Sequence, residues 1–261
     1  MILGRYAKTA AMAAASTAGD SPLFLLDYLL RFLRVAVLLS LWRVILSPRD
    51  GAGGMTLAEV LTYTLIAEVF ADCLACRSEL PYALSDGSVA VRLLQPVAMM
   101  GSFAAQMIGR WGFGFLFFSL PLLAAAPLLG VSPLPASAAA GALFVASLLL
   151  SVTVGLAIDF LFGALMVVME QDYWSIHYVR SGVTGLLSGA VIPFALLPWG
   201  LGDLFAWLPF AALASAPLRI FTGAGEPLLL LAGQAVWALL LWPLAGLLWR
   251  ANRERLVCYG G

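Results

Sequence analysis

Charged residues are scarce in this chain of 261 residues. Asp, Glu, Lys and Arg together make up 11%, whereas 62% of the residues are hydrophobic. Soluble domains usually contain about a quarter of charged residues, and mean hydropathy here is +0.99. A soluble chain of this size would have to hide more apolar surface than one core can bury. The composition therefore predicts an integral membrane protein, a single membrane domain over residues 1–261 with no soluble catalytic domain beside it.

Residues that commonly carry catalysis or hold metals are also few. The chain has one histidine, His177, and three cysteines, and it lacks the G-x-S-x-G and H-E-x-x-H motifs of hydrolases and metalloproteases. Cys73 and Cys76 form a C-x-x-C pattern, but a zinc site needs about four ligands. We interpret these two cysteines as small buried side chains. The sequence predicts no catalytic residue, no metal and no cofactor on this chain.

A P-loop is missing as well. The single Lys-Thr pair, Lys8-Thr9, follows Ala7 where the motif requires glycine. The chain therefore does not bind ATP through a P-loop, and any dependence on ATP requires a partner chain. The formal net charge is zero, and no clustered basic face indicates binding to nucleic acid.

Long uncharged runs predict membrane-spanning helices, each of which needs about 20 predominantly apolar residues. No residue from Trp111 to Ile158 is charged, and the turn at Gly130–Pro135 divides this run into two spans. The runs Ser181 to Gly202 and Pro227 to Trp249 predict one span each. We interpret Asp159 as a helix-end or interface residue near the inner end of the fourth span.

Two further segments are apolar but interrupted by charges. Leu23 to Leu46 carries one aspartate and three arginines, and Leu57 to Leu80 carries four carboxylates and one arginine. A carboxylate at the centre of a span costs about 2.5–3.5 kcal/mol on insertion scales. We expect these two spans to pack against protein rather than lipid. With them the prediction reaches six spans.

Basic residues set the predicted orientation. With the N-terminus inside and six crossings, eleven Lys and Arg residues lie on inner segments or span ends, and three lie on outer ones. This distribution follows the positive-inside rule, so we expect both termini in the cytoplasm and the protein in the inner (plasma) membrane. Residues 1–22 are then a cytoplasmic N-terminal helix. Residues 80–106 are a cytoplasmic segment of amphipathic helices along the membrane.

The segment 198–226 is too apolar for a solvated loop. Pro209 and Pro217 predict two short helices, either re-entrant or lying at the outer interface. Trp199 and Trp207 suit the aromatic belt at a membrane surface. The complete prediction is an all-α polytopic membrane protein with cytoplasmic N-terminal and coupling helices. An extracellular helical hairpin separates its fifth and sixth spans.

Two carboxylates in the second span are candidate pathway residues. Glu68 and Asp72 are four residues apart, so they share one helical face. They can line a translocation path that favours cationic or amphipathic substrates. Alternatively they are structural and pair with Arg31, Arg34 or Arg43 of the first span, and a proton relay is a third interpretation.

Five segments carry motifs in the order found in one protein family, although each motif is weak alone. They are Leu57–Tyr63, Leu84–Val97, Ser188–Trp199, Trp207–Gly223 and the ending Cys258–Gly261. In this order they resemble the ABC-2-type permeases of ABC transporters, specifically a small six-span branch. Asp86 stands where the family commonly has a basic residue, and Gln95 stands where it commonly has arginine.

The resemblance implies a dimer of permeases, identical or different, each docked on a cytoplasmic ATPase that holds ATP and Mg²⁺. It implies alternating access and export of drug-like or other amphipathic small molecules, as in multidrug efflux. By this resemblance the residues that couple to the ATPase are Glu79, Tyr82, Leu84, Asp86, Gly87 and Arg92. The outer gate residues are Trp199, Trp207, Pro209 and Phe210.

Two other functions compete with this one. The chain could be a self-sufficient ion- or proton-coupled carrier that uses Glu68 and Asp72, although the inverted repeats of many carriers are not evident. It could also be a membrane scaffold or a lipid enzyme, and the missing catalytic set argues against the enzyme.

Overall fold

The computed structural model describes residues 2–19, 23–48, 51–94, 98–251 and 255. In this part of the chain helices predominate, and three are long and apolar enough to cross a membrane: Gly101–Ala125, Ala138–Val168 and Pro227–Ala251. Gln95 and the ending 258–261, on which the family resemblance partly relied, lie outside the described residues.

The bounds of the described helices and strands place most of the chain in helices. In chain order they are α1 Ile2–Gly19, α2 Phe24–Leu46, β1 Gly51–Ala52, β2 Met55–Thr56, α3 Leu57–Val69, α4 Ala71–Ala75, α5 Leu80–Ser85, α6 Ser88–Leu93, α7 Met99–Gly114, α8 Leu120–Ala125, α9 Ala138–Val168, α10 Tyr173–Leu187, α11 Leu201–Ala206, α12 Ser215–Thr222 and α13 Pro227–Ala251. A π-helical turn, Phe115–Ser119, joins α7 to α8, and 3₁₀ turns cover Phe194–Leu196 and Pro209–Ala212.

A small β-hairpin departs from the all-α prediction. β1 and β2 pair antiparallel with Gly51 opposite Thr56. Gly53 and Gly54 form the turn with φ values of +60° and +79°, a conformation that glycine adopts at little cost. Thr56 then begins α3 with a capping box, in which its hydroxyl accepts from the Glu59 amide and the Glu59 carboxylate accepts from the Thr56 amide.

The second predicted span is two helices rather than one. α3 ends at Val69, and Phe70 interrupts the helix. α4 ends at Ala75, because Cys76 after it has a φ of +44° that cannot continue a helix. Every residue from Val60 to Val69 is buried. Val60 to Val69 therefore pack against protein, as predicted for the second charged span. The first charged span differs, because leucines of α2 such as Leu29 and Leu33 are exposed.

The third predicted span begins earlier than the uncharged run indicates. α7, the π-helical turn and α8 follow one another without a break from Met99 to Ala125. Residues 99–106 thus belong to this long helix, although the sequence analysis included them in the coupling segment. At the π-helical turn the hydroxyl of Ser119 donates to the Val69 carbonyl at 2.7 Å, which joins this helix to α3.

The longest helix, α9, forms the centre of the packing. Its 31 residues span about 46 Å at 1.5 Å per residue, and α4, α5, α12 and α13 all pack against it. Small polar side chains make close contacts possible: Ser147 donates to the Gln234 side chain of α13 at 2.7 Å, and Ser151 donates to the Leu213 carbonyl at 2.5 Å. Such interhelical hydrogen bonds stabilise helix association in an apolar environment.

The fifth predicted span has different bounds from those expected. We predicted a helix over residues 181–202, but α10 begins at Tyr173 and ends at Leu187. Asp172 caps its start by accepting from the amides of the first turn. Gly189, with φ of +76°, and Pro193 and Pro198 follow its end, and neither residue type continues a helix readily.

The segment 198–226 folds into short helices, as its prolines indicated. α11, a 3₁₀ turn and α12 follow one another, and nearly all of α12 is buried against α3, α9 and α13. Deep in this region the Tyr63 hydroxyl donates to the Gly189 carbonyl at 2.7 Å. α12 is therefore packed into the protein, whereas Leu204 of α11 and Trp207 after it are exposed.

The N-terminal helix α1 is docked tightly on α7. A Cβ atom at Gly109 would lie 2.0 Å from the Ala10 carbonyl oxygen, and one at Gly101 would lie 2.8 Å from the Tyr6 hydroxyl. The Tyr6 hydroxyl also accepts from the Ala98 amide at 3.2 Å. Glycine at these positions lets the two helices approach closely.

We expect Gly109→Val to displace α1 from α7, because forced overpacking of this kind costs about 1–3 kcal/mol. Trypsin cleavage after Lys8, followed by mass spectrometry on the purified protein, should become several-fold faster. Gly112→Val is the matched control, since a Cβ atom at Gly112 meets nothing within 4 Å. Equal cleavage rates for the two variants would contradict the docking described here.

Candidate functional site

A cavity of about 630 Å³ lies among α2, α3, α4, α7 and α10, and we call it the polar cavity. Its volume lies in the range of about 300–1,000 Å³ that is usual for small-molecule sites. Seven charged residues line it: Asp27, Arg31, Arg34, Glu68, Asp72, Arg77 and Arg110. This is a high density of charge for a chain that contains so little.

Both candidate pathway carboxylates line this cavity, and both are paired with arginine. Arg34 Nη2 lies 2.8 Å from Glu68 Oε1, and Arg31 Nη1 lies 3.2 Å from Asp72 Oδ2. The ion pairs that the sequence suggested for Arg31 and Arg34 are thus present. Arg43, the third arginine considered, instead donates to the Leu129 carbonyl. Glu68 and Asp72 therefore contribute compensated charge to the cavity rather than free negative charge.

The two pairs differ in their exposure. The Glu68 side chain is 9% exposed, whereas that of Asp72 is 51% exposed. Arg31 is held in place as well by the aromatic ring of Phe118, whose centroid lies 4.2 Å from the guanidinium carbon. Exposed ion pairs contribute little to stability, so the main effect of the Asp72 pair is to position Arg31 at the cavity.

A third ion pair is deeply buried beside the cavity. Asp159 Oδ1 lies 2.6 Å from Arg180 Nη1, with side chains that are 0% and 8% exposed. The same carboxylate accepts hydrogen bonds from the Ser78 amide, at 3.1 Å, and from the Ser78 hydroxyl. Of the two sequence interpretations of Asp159, the helix end is wrong, because α9 continues to Val168, and the residue lies instead where α9 meets Arg180 of α10.

Sequence reasoning did not connect these two residues. Asp159 directly follows one uncharged run, and Arg180 directly precedes another. Charged residues inside membrane segments almost always pair with one another. That rule, applied to two isolated opposite charges, was the signal that could have predicted the pair.

Arg180 also binds the bend between α4 and α5, residues Cys76–Ser78, which we call the elbow. Its Nη2 donates to the carbonyls of Ala75, at 3.2 Å, and Cys76, at 2.9 Å. On the α9 side, a Cβ atom at Gly155 would lie 2.4 Å from that of Cys76. The elbow is therefore clamped between α9 and α10.

The C-x-x-C pattern has a structural role in this arrangement. Cys76 is fully buried and donates its thiol to the Val152 carbonyl at 3.4 Å, while Cys73 is partly buried and free. No group of three or more metal-binding side chains occurs in the part of the chain that the structure describes.

The predicted coupling residues lie on α5, α6 and the turns beside them. Glu79 pairs with Arg110 of α7 at 2.5 Å and with Arg92 of α6 at 3.6 Å. Arg92 also donates to the Gln106 side chain at 3.1 Å and lies over the Phe103 ring. Glu79 and Arg92 therefore tie the coupling helices to α7.

The remaining coupling residues divide into buried and exposed ones. Leu84 is fully buried and packs with Leu80 over Gly163 of α9. Tyr82 is 54% exposed, and Asp86 is exposed at the end of α5. Among the six predicted coupling residues, Tyr82 and Asp86 are thus exposed, and the Glu79 side chain is 38% exposed but engaged by two arginines.

The turn between α5 and α6 fixes the charge of Asp86. Gly87 has φ of +75°, which lets α6 begin directly after α5. The Ser88 amide donates to the Asp86 carboxylate at 2.9 Å, and this hydrogen bond lowers the pKa of Asp86 below its ordinary value. Asp86, the departure from the family pattern, is therefore negatively charged at neutral pH.

An aromatic cluster beside the coupling helices was not anticipated. The rings of Tyr82 and Tyr173 meet edge to face at 5.6 Å, and Trp174 and Tyr178 extend the cluster along α10. Trp174 is 59% exposed and Tyr178 is 68% exposed. Four ring residues within six positions, 173–178, were the available sequence signal.

The four predicted gate residues occupy two environments. Trp199 is 92% exposed and Trp207 is 82% exposed. Pro209 and Phe210 begin the 3₁₀ turn that leads to α12, and Phe210 packs partly buried against the α9–α13 core. The tryptophans therefore face outward while the Pro-Phe pair anchors the segment.

We expect Asp159→Asn to destabilise the protein by about 3–5 kcal/mol, because it leaves Arg180 buried without a counterion. Equilibrium unfolding in mild detergent measures the change. Asp203→Asn is the control, since Asp203 is exposed and surface substitutions usually change stability by less than about 0.5 kcal/mol. Equal unfolding midpoints for the two variants would show that the buried pair is not needed for stability.

The family comparison agrees with these features. Residues 32–260 match the family described as ABC-2 family transporter protein, a range that begins within α2 and extends past the end of α13. No curated protein and no solved structure matches the chain. Because the match covers most of the chain, the family prediction made from the sequence motifs is confirmed. The chain belongs to the ABC-2 transporter family and is a membrane component of a transporter.

Proposed function

We propose that this chain is the permease subunit of an ATP-driven exporter for an amphipathic or drug-like molecule. A separate cytoplasmic ATPase dimer would hold ATP and Mg²⁺ and drive alternating access. Family membership supports the transport role. The elbow is the observation that supports coupling between the ATPase and the cavity. It connects α5, which has exposed residues, to α10, which lines the polar cavity.

The proposed membrane arrangement retains six spans with both termini in the cytoplasm. Its support is the excess of eleven inner over three outer basic residues. The α5–α6 segment would then lie in the cytoplasm and the 198–226 segment on the outer side. Leucines of α2 and α13, such as Leu29, Leu33 and Leu239, are exposed. They offer apolar surface to lipid and to a second permease, identical or different.

The proposed coupling proceeds through rigid contacts. Binding of the ATPase to Tyr82 and Asp86 moves α5, and the buried Leu84 transmits the force to α9. Ser78 and Arg180 hold the elbow to α9 and α10 at the same time. Displacement of α5 would therefore change the positions of α4 and α10, which both line the polar cavity.

The outer end of the pathway is proposed to close through the 198–226 segment. α12 fills the space between α3 and α9, and Phe210 anchors the preceding turn. Trp199 and Trp207 are exposed beside it, and we propose that they rest in the membrane interface. Opening then requires this buried segment to move away from α9.

A carrier driven by ions or protons is the second candidate. Its support is that Glu68 is nearly buried and faces the polar cavity together with Asp72. The arginine partner of each carboxylate weakens this candidate, because each carboxylate is already held in an ion pair with a neighbouring helix. The two functions differ in whether the chain works without an ATPase.

We expect the native complex, isolated in mild detergent, to contain an ABC-type ATPase. Tyr82→Ala combined with Asp86→Ala should lower the amount captured about tenfold, the loss typical of removing one strong interface contact. The matched control is Trp207→Ala combined with Asp203→Ala, which should capture the ATPase normally. Capture of no ATPase by the native chain would reject the exporter, and equal loss in both variants would reject the docking site.

We expect the chain alone in liposomes to transport neither rhodamine 6G nor a dansyl fatty acid under a pH gradient. Adding the ATPase and ATP should produce transport of at least one probe. Glu68→Gln combined with Asp72→Asn should reduce this transport, because Arg31 and Arg34 lose their partners. Transport driven by the pH gradient alone, and abolished in the double variant, would favour the carrier instead.

A further inference from the structure

The charges that line the polar cavity do not balance within the cavity itself. Four arginines face three carboxylates. Arg34 and Arg31 are matched by Glu68 and Asp72, and Arg110 is matched by Glu79, which lies outside the cavity lining. Arg77 is the arginine for which the described residues provide no ion pair or hydrogen bond.

The carboxylates near Arg77 already have other partners. Asp72 and Asp159 both act on Arg77 electrostatically, as does Arg180, but Asp72 is paired with Arg31, and Asp159 is engaged by Arg180 and by Ser78. Neither carboxylate forms an ion pair with Arg77. The open side of this cluster is the polar cavity, because Arg77 is one of its lining residues.

Asp27 is the one remaining carboxylate of the lining. Its position at the start of a helix stabilises its negative charge without an arginine. It lies in the first turn of α2 and is exposed. The free amides at the start of a helix stabilise a carboxylate there. Asp27 thus has favourable partners within its own helix. The carbonyls at the end of α4, which could serve Arg77 in the same way, accept from Arg180 instead.

The remainder of the lining is suited to an apolar tail. Leu74, Met107, Trp111, Val191 and Leu213 contribute apolar surface to the same cavity, and Ser181 and Thr184 contribute hydroxyl groups on α10. A ligand with an acidic head and an apolar tail would meet a cation, hydroxyls and apolar side chains in one space.

We propose that the polar cavity binds an amphipathic anion with its acidic headgroup at Arg77 and its tail against the apolar lining. The inference rests on the proposed function in one respect, namely that the bound molecule is the transported substrate. The binding itself depends on this chain alone. It replaces the preference for cations that Glu68 and Asp72 suggested from the sequence, because both carboxylates are neutralised by arginine.

Fluorescent probes of opposite charge test the proposal on the full chain in phosphatidylcholine nanodiscs. The probes are 11-(dansylamino)undecanoic acid and the primary amine of the same chain length, with protein-free nanodiscs as the blank. The acid should bind at least about tenfold more tightly than the amine, the size expected for one charge-assisted hydrogen bond. Arg77→Gln should remove this preference, and Arg77→Lys, which keeps the charge, should retain most of it.

Arg250→Gln is the matched control, because Arg250 is exposed on α13 and is absent from the cavity lining. It should leave the affinity for the acid unchanged. Tighter binding of the amine would overturn the proposal. So would equal affinities for the acid in the native chain and a correctly folded Arg77→Gln variant, with folding checked by size-exclusion chromatography.

Two further measurements separate this inference from the proposed function. Displacement of the acid by phosphatidylglycerol would identify the natural ligand as a membrane lipid. No displacement would identify it as a free amphiphile. In both cases the ligand is an amphipathic anion, as proposed. Stimulation of ATP hydrolysis in the isolated complex by the acid supports transport. If the acid binds at Arg77 but stimulates no hydrolysis, the site stands and the exporter function fails.

Discussion

The buried ion pair between Asp159 and Arg180 joins three parts of the molecule. It links α9, the longest helix, to α10, and through Ser78 and the carbonyl of Cys76 it links both to the elbow before α5. Removing either charge would leave the other buried without a partner, at a cost of several kcal/mol. The pair therefore fixes the positions of α9, α10 and the elbow relative to one another, and through them the position of the polar cavity's lining.

Although charge is scarce, several charged side chains of the membrane domain hold helices together. Glu68, Asp72 and Glu79 each contact an arginine from a different helix, because an unpaired charge in an apolar surrounding is costly. These contacts gather α2, α4, α5 and α7 around one polar space. Arg77 differs from this pattern, because it lines the cavity without an ion pair to another described residue.

Much of the fold followed from composition and from the order of motifs. The uncharged runs predicted the long helices over 138–168 and 227–251, and the motifs identified the ABC-2 family. Helix bounds were less predictable, because hydropathy indicates whether a segment prefers an apolar environment or water. It does not indicate where the backbone stops being helical. The apolar residues of 188–200 looked like part of a span, yet Gly189 and two prolines end α10 before them. In the same way, apolar character concealed the break at Phe70 within the second span.

The sequence by itself determined that the chain belongs in a membrane, that it lacks a P-loop, and that Glu68 and Asp72 share a helical face. These conclusions depend on composition and on contacts between near neighbours, which the order of residues records directly. Only the tertiary structure decided which charges meet, because Asp159 and Arg180, or Arg34 and Glu68, lie far apart along the chain and are joined by helix packing. That packing also decided that Leu84 is buried and that Arg77 faces a cavity.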